Sequence, residues 1–202
     1  WHTASSYHFA DMDCQNGNFV TALEHLERSR STNVKNVKAL NLKAVVLRYL
    51  NNLKSAEYQA QASIDTFIIN HQALNELYLI NKKAGKENVA SEKLKELTNL
   101  MRFEVQSYLE LATDYGNCGF YTEAIDILSR LEKAGSEFPM VYYYLGYYWN
   151  KSGDHAKAIN YYSEALSIDP QDEWAQSKLS NLLYHFKMNV EMLCKKDHED
   201  IK

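Results

Sequence analysis

Between Val105 and Gly116 the apolar residues Tyr108, Leu111, Ala112 and Tyr115 fall at i, i+3, i+4 and i+7, the spacing that gathers side chains on one face of a helix. After a break at Gly119, the residues Ala124, Ile125, Ile127, Leu128 and Leu131 form a second stripe. One such hairpin cannot bury both stripes, so the pattern predicts neighbouring hairpins that stack. The pattern also recurs along the chain. Ala22, Ala56, Ala90, Ala124 and Ala158 are spaced by 34 residues, and five residues before each stands Gly17, Asn51, Gly85, Gly119 or Gly153. The methyl column suits the closest approach of two antiparallel helices, whose axes then come to about 8–10 Å. The second column suits a helix C-terminus, where the chain turns through the left-handed region that glycine enters freely and asparagine tolerates. Asn18 and Asp154 follow Gly17 and Gly153 and are placed to cap the next helix.

Composition narrows the class. With 7 Gly and 2 Pro in 202 residues, and 46% apolar residues, the chain has too few breakers for a turn-rich β-sandwich and too much apolar content for a disordered tail. An all-α fold is expected. A formal net charge of -4 gives no global reason to bind nucleic acid or an anionic membrane surface. No apolar run approaches the roughly 18–20 residues that span a bilayer, so membrane insertion is not expected. The 3 cysteines, Cys14, Cys118 and Cys194, are odd in number and far apart, and read as ordinary thiols without a disulfide framework or a zinc site. The chain begins at Trp1, not Met, and reads as a processed or excised piece; its compartment stays open, with the cytoplasm favoured.

The period of 34, the small residue deep in the second helix and the left-handed turn before it resemble the tetratricopeptide repeat. The clearest copy runs from Pro139 to Asp172: Tyr142, Leu145-Gly146, Trp149, Ala158, Tyr162, Ala165 and Pro170 stand at the family's signature positions. The copy before it keeps Tyr108, Leu111-Ala112, Tyr115, Gly119, Ala124, Leu128 and Leu131, with Ser136 in place of the terminal Pro. The three N-terminal copies depart further: Lys43 and Tyr78 sit in the Leu-Gly pair, and Asp13 and Asn81 replace an aromatic. The resemblance implies a single array over 1–202, a right-handed superhelix of antiparallel helix pairs with repeats at about 3–36, 37–70, 71–104, 105–138 and 139–172. A terminal helix or half repeat over 173–202 follows, with Glu191 to Lys202 as a polar cap. Segments such as Asn41 to Arg48, Ala73 to Tyr78 and Tyr108 to Tyr115 also resemble the repeat tail of large bacterial proteins that carry a carbohydrate-associated β-sandwich region. That likeness implies a C-terminal module of a longer protein.

No catalytic motif is present. G-x-S-x-G, H-E-x-x-H, G-x-x-x-x-G-K-[ST] and G-x-G-x-x-G are all missing, so neither an enzyme nor a cofactor is expected. His2 and His8 are six apart and cannot share a helical face as metal ligands. The acid pairs Glu24/Glu27 and Asp169/Asp172 read as solvated surface. Asn150-Lys151-Ser152 matches a glycosylation sequon by chance.

What remains is a surface. The resemblance implies a concave groove lined by the first helix of each repeat. In the C-terminal half it would carry Tyr143, Tyr147, Asn150 and Lys151, then Trp174, Ser177, Asn181, Tyr184 and His185, with Gln106, Leu109, Thr113 and Asn117 before them. Rigid aromatics mixed with amides offer contact area at low entropic cost and adjustable hydrogen bonds. In the N-terminal half the same face would carry Lys38, Asn41, Arg48, Asn75, Lys82 and Lys83, a basic lean suited to an acidic segment or simply to solubility. The Lys and Asn clamp by which cochaperone repeats hold a C-terminal carboxylate is not matched, because Tyr143, Tyr147, Ser177 and Asn181 occupy its positions. The expected function is a non-catalytic interaction scaffold that binds a protein or peptide partner. The alternative is a module that binds glycan or docks an adjacent domain of its parent protein.

Overall fold

The computed structural model of the protein describes residues 2–32, 36–67, 69–131 and 137–185. Among them helices occur and no strand does. The order is α1 (His2–Gln15), α2 (Phe19–Thr32), α3 (Val37–Tyr49), α4 (Leu53–Thr66), α5 (His71–Lys83), α6 (Glu87–Met101), α7 (Val105–Asn117), α8 (Tyr121–Ser129), α9 (Pro139–Lys151) and α10 (His155–Ile168). A further helix, α11, runs over 173–185. The expected polar cap from Glu191 to Lys202, and Cys194, lie outside the described residues.

The two sequence columns have the physical roles their side chains suggested. Ala22, Ala56, Ala90, Ala124 and Ala158 are all buried. Gly17, Asn51, Gly85, Gly119 and Gly153 all have positive φ, from 61° at Asn51 to 92° at Gly153. Each of these five joints carries the same two hydrogen bonds. At the third, Lys86 N donates to Asn81 O at 2.9 Å and Gly85 N to Lys82 O at 3.1 Å; at the fifth, Asp154 N donates to Trp149 O and Gly153 N to Asn150 O. Carbonyls that a helix end would leave orphaned are thereby paired, which is why a left-handed residue recurs there. Polar caps start the following helices. Asn36, Asn52, Asn70 and Asp154 each accept from the backbone three residues on, while α9 begins with Pro139 in its first turn.

The chain divides into two compact units, Trp1–Phe120 and Tyr121–Lys202. In the first, α1 to α6 pack each against the next, and α5 also meets α3 and α7. The α1/α2 hairpin reaches the far end of the same unit. Gln15 Nε2 donates to Asn117 O at 2.6 Å, and the rings of Phe19, Tyr49 and Phe120 cluster with centroids 4.8 to 6.1 Å apart.

In the second unit α9 packs against α8 and α10. Gly146 lets α9 and α10 approach, because a Cβ there would lie 2.9 Å from Cδ1 and Cε1 of the buried Tyr162 ring. The glycine of the Leu-Gly pair is thus set by the aromatic opposite it. Tyr148 is buried, flanked by the rings of Tyr121 and Tyr144.

Candidate functional site

The residues expected to line one groove fall into two groups. In the first unit Asn41, Arg48 and Asn75 are buried and engaged by the protein itself. Arg48, 8% exposed, donates from Nε to Glu76 Oε2 at 2.7 Å and from Nη2 to Glu76 Oε1 at 3.1 Å. Glu76, fully buried, also accepts from the Tyr115 hydroxyl at 2.6 Å, and that hydroxyl accepts from Asn75 Nδ2 at 3.0 Å. Burial first, and then the Glu76 carboxylate, hold the Tyr115 phenol neutral well above its usual range, so it stays a donor. Asn41 forms a second network: its amide donates to Asn70, and its carbonyl oxygen accepts from Ser63 Oγ at 2.7 Å and from Asn70 Nδ2.

The basic residues at the edges of this unit are exposed. Lys38 stands 3.9 Å from Asp114, and Lys82 reaches the Tyr78 hydroxyl at 3.2 Å. Between α3, α5 and α7 a cavity of about 200 Å³ is lined in part by Lys38, Asn41, His71, Glu110 and Asp114. Burial raises the Asp114 pKa, opposed by Lys38, and lowers that of His71. Asn117 is exposed, its carbonyl taken by Gln15. Nothing in the sequence marked Glu76 as the partner of Arg48, except that an acid stands among Leu74, Leu77 and Tyr78 on the apolar stripe of α5.

The second unit is different, because its expected residues keep an open surface. Tyr143, Tyr147 and Asn150 are half-buried on α9, and Lys151 is exposed with Nζ 5.7 Å from the Tyr147 ring centre. On α11, Asn181 is exposed, Trp174 is 73% exposed and Tyr184 62%. Two cavities lie along these helices. One of about 400 Å³ is lined by Asn150, His155, Ile159, Lys178, Asn181, Leu182 and His185. The other, about 250 Å³, is lined by Met140, Tyr143, Tyr144, Asp172 and Trp174. Sequence reasoning missed Met140, Tyr144 and Asp172 as lining residues. A signal for Asp172 existed, since an Asp just ahead of a helix is a capping residue, and its Oδ1 accepts from Trp174 N and Ala175 N at 3.0 and 3.1 Å.

Helix pairs joined by a repeated left-handed turn, presenting an aromatic and amide surface, define a helical-hairpin repeat scaffold. Residues 109–173 match the family model of the tetratricopeptide repeat. No curated protein matches the sequence. Among solved structures the chain is similar to a MamA protein, at 17% identity and a TM-score of 0.47, covering 84% of this chain and 93% of that one. It is also similar to MamA from Desulfovibrio magneticus RS-1, at 13% identity and 0.49, covering 85% and 97%. A third is YrrB, described as a TPR protein with an unusual peptide-binding site, at 15% identity and 0.45, covering 86% and 89%. No helix among the described residues is long and apolar enough to cross a membrane.

Proposed function

We propose that the protein is a non-catalytic scaffold that captures an extended segment of a partner protein along the face of its second unit built by α9 and α11. The observation that carries the reading is the exposure of Trp174 and Tyr184 on α11 with Tyr143 and Tyr147 half-buried on α9, and a cavity that Tyr143 and Trp174 line together. Large rings left in water are the residues whose burial by a partner gains most, and interface anchors are enriched in Trp and Tyr. Asn150 and Asn181 stand at the second cavity, where their amides can pair with a partner's main chain. Tetratricopeptide repeats act by holding other proteins, which fits this surface. Lys38 and Lys82 play no part in this site, and Asn41, Arg48 and Asn75 serve the fold of the first unit.

The test is selection from a phage-displayed library of random peptides on the wild-type chain and on Tyr143→Ala with Tyr147→Ala. The wild type enriches a peptide family, and the variant loses it at a temperature where circular dichroism shows its helicity intact, although its melting temperature falls because Tyr143 and Tyr147 pack on Tyr162 and Tyr148. Peptides retained equally by the variant would move the site away from α9. Retention by a glycan array, with no peptide enriched, would replace the peptide reading with a carbohydrate one.

A further inference from the structure

We infer that the cavity lined by Met140, Tyr143, Tyr144, Asp172 and Trp174 seats a basic side chain, a lysine or arginine of the partner segment. This inference rests on the groove reading and adds to it the chemistry of one anchor. The cavity joins two features that attract a cation. The first is an aromatic surround: the rings of Tyr143 and Tyr144 stand at 82° to each other with centroids 5.5 Å apart, and Trp174 completes the lining. Aromatic rings carry negative potential over their faces and attract ammonium and guanidinium groups. The second is the Asp172 carboxylate. Both of its backbone bonds fall on Oδ1, and no lysine, arginine or histidine of the described residues forms an ion pair with it.

The walls are held from behind. Tyr143 packs at 5.7 Å against the buried Tyr162, and Tyr144 at 5.9 Å against the buried Tyr148, so the rings are fixed before a ligand arrives. A ligand that orders little on binding loses less affinity to entropy. The lining also separates a cation from other occupants. An anion would meet a carboxylate and no basic group. A sugar would stack on the same rings and draw on the phenol hydroxyls and the Trp174 indole N–H, but it would leave the Asp172 charge uncompensated. A cation matches every lining group, with the Met140 thioether and the rings taking the methylene stem of a lysine.

The experiment titrates the full chain, labelled with 15N, with the capped tripeptide Gly-Lys-Gly and reads the indole signal of Trp174, assigned by its loss in Trp174→Phe. Controls are the capped tripeptide with norleucine in place of lysine, and maltotriose. The lysine peptide shifts the signal saturably, and the norleucine peptide binds at least tenfold more weakly. Asp172→Asn abolishes that preference while melting like the wild type, because Asn caps a helix N-terminus about as well as Asp. Equal binding of both peptides, an undiminished lysine preference in Asp172→Asn, a response to maltotriose alone, or no response to any probe would each overturn the inference. The two readings fail separately. If library peptides bind through Tyr143 and Tyr147 but bind equally to Asp172→Asn, the groove stands and the cation seat falls. If no library peptide is enriched while the lysine tripeptide still binds through Asp172, the seat stands and the groove falls.

Discussion

Replacing Glu76 by Gln tests whether Arg48 belongs to the fold or to a ligand. In the protein the Glu76 carboxylate receives three donors: Arg48 Nε at 2.7 Å, Arg48 Nη2 at 3.1 Å and the Tyr115 hydroxyl at 2.6 Å. Glutamine keeps the size but offers one oxygen and an NH2 group, so at least one of the three donors faces another donor. The guanidinium also loses its counter-charge while only 8% exposed. Breaking a buried ion pair on one side costs about 3–5 kcal/mol, and a single unpaired buried donor costs about 1–3 kcal/mol or more when charged. At roughly 2–4 °C per kcal/mol for a chain of this length, the melting temperature falls by about 10 °C. The assay is thermal unfolding followed by circular dichroism, with urea unfolding in parallel. Removing all three polar groups together, as Arg48→Met, Glu76→Met and Tyr115→Phe, restores most of the loss, because apolar replacements leave no charge uncompensated. A Glu76→Gln protein that melts within about 2 °C of the wild type would refute the reasoning, since that is under about 1 kcal/mol. Arg48 would then be a solvated side chain free to meet a partner.

Three further perturbations follow from other parts of the structure. Gly146→Ala places a methyl 2.9 Å from the Tyr162 ring; overpacking of about 1–3 kcal/mol outweighs the roughly 1 kcal/mol gained in helix propensity, and combining it with Tyr162→Leu in a urea series recovers part of the loss. Asn51→Gly relieves a side chain held at φ 61° and raises stability by about 0.5–1 kcal/mol in the same assay, less than the full left-handed penalty because Asn tolerates that region. The Asp154 pKa is lowered, chiefly by the backbone N–H of Lys157, so its contribution is present above the ordinary Asp range and is lost as pH falls through the depressed value. Asp154→Asn removes that dependence, and the difference between wild-type and variant urea midpoints shrinks between neutral and strongly acid pH.

What the sequence disclosed was what the backbone itself demands. A left-handed residue at a helix end and a methyl at a helix crossing are decided locally, so Gly17, Asn51, Gly85, Gly119 and Gly153, and the alanines five residues after each, were legible without a structure. Register also located Tyr143, Tyr147, Trp174 and Tyr184 on open surface. It did not disclose what the chain places against a face. Arg48 and Asn75 occupy positions equivalent to open ones, but Glu76, 28 residues beyond Arg48, and Tyr115, 40 residues beyond Asn75, meet them there. Periodicity within a helix cannot show whether a polar residue will find its partner in another repeat or in another molecule. Asp172 was hidden for a related reason: its capping role is local, but its place beside Tyr143 depends on how α11 follows α10.

The contact between Gln15 and Asn117 spans 102 residues, and a side chain at Gly119 would strike the Gln15 backbone at 2.9 Å. In an ordinary stack of repeats each pair touches its neighbours alone, and folding can spread from any point as soon as one pair has formed. The first unit does not permit this for its opening helix. As the chain leaves the ribosome, α1 can pair with α2 early, but its contact with the end of α7 must wait until residues 117–120 have emerged. The cost of closing so long a loop grows only with the logarithm of its length, yet it must be met before the contact stabilises anything. Although α1 precedes α7 in the chain, it is therefore fixed in place only after α7 has formed.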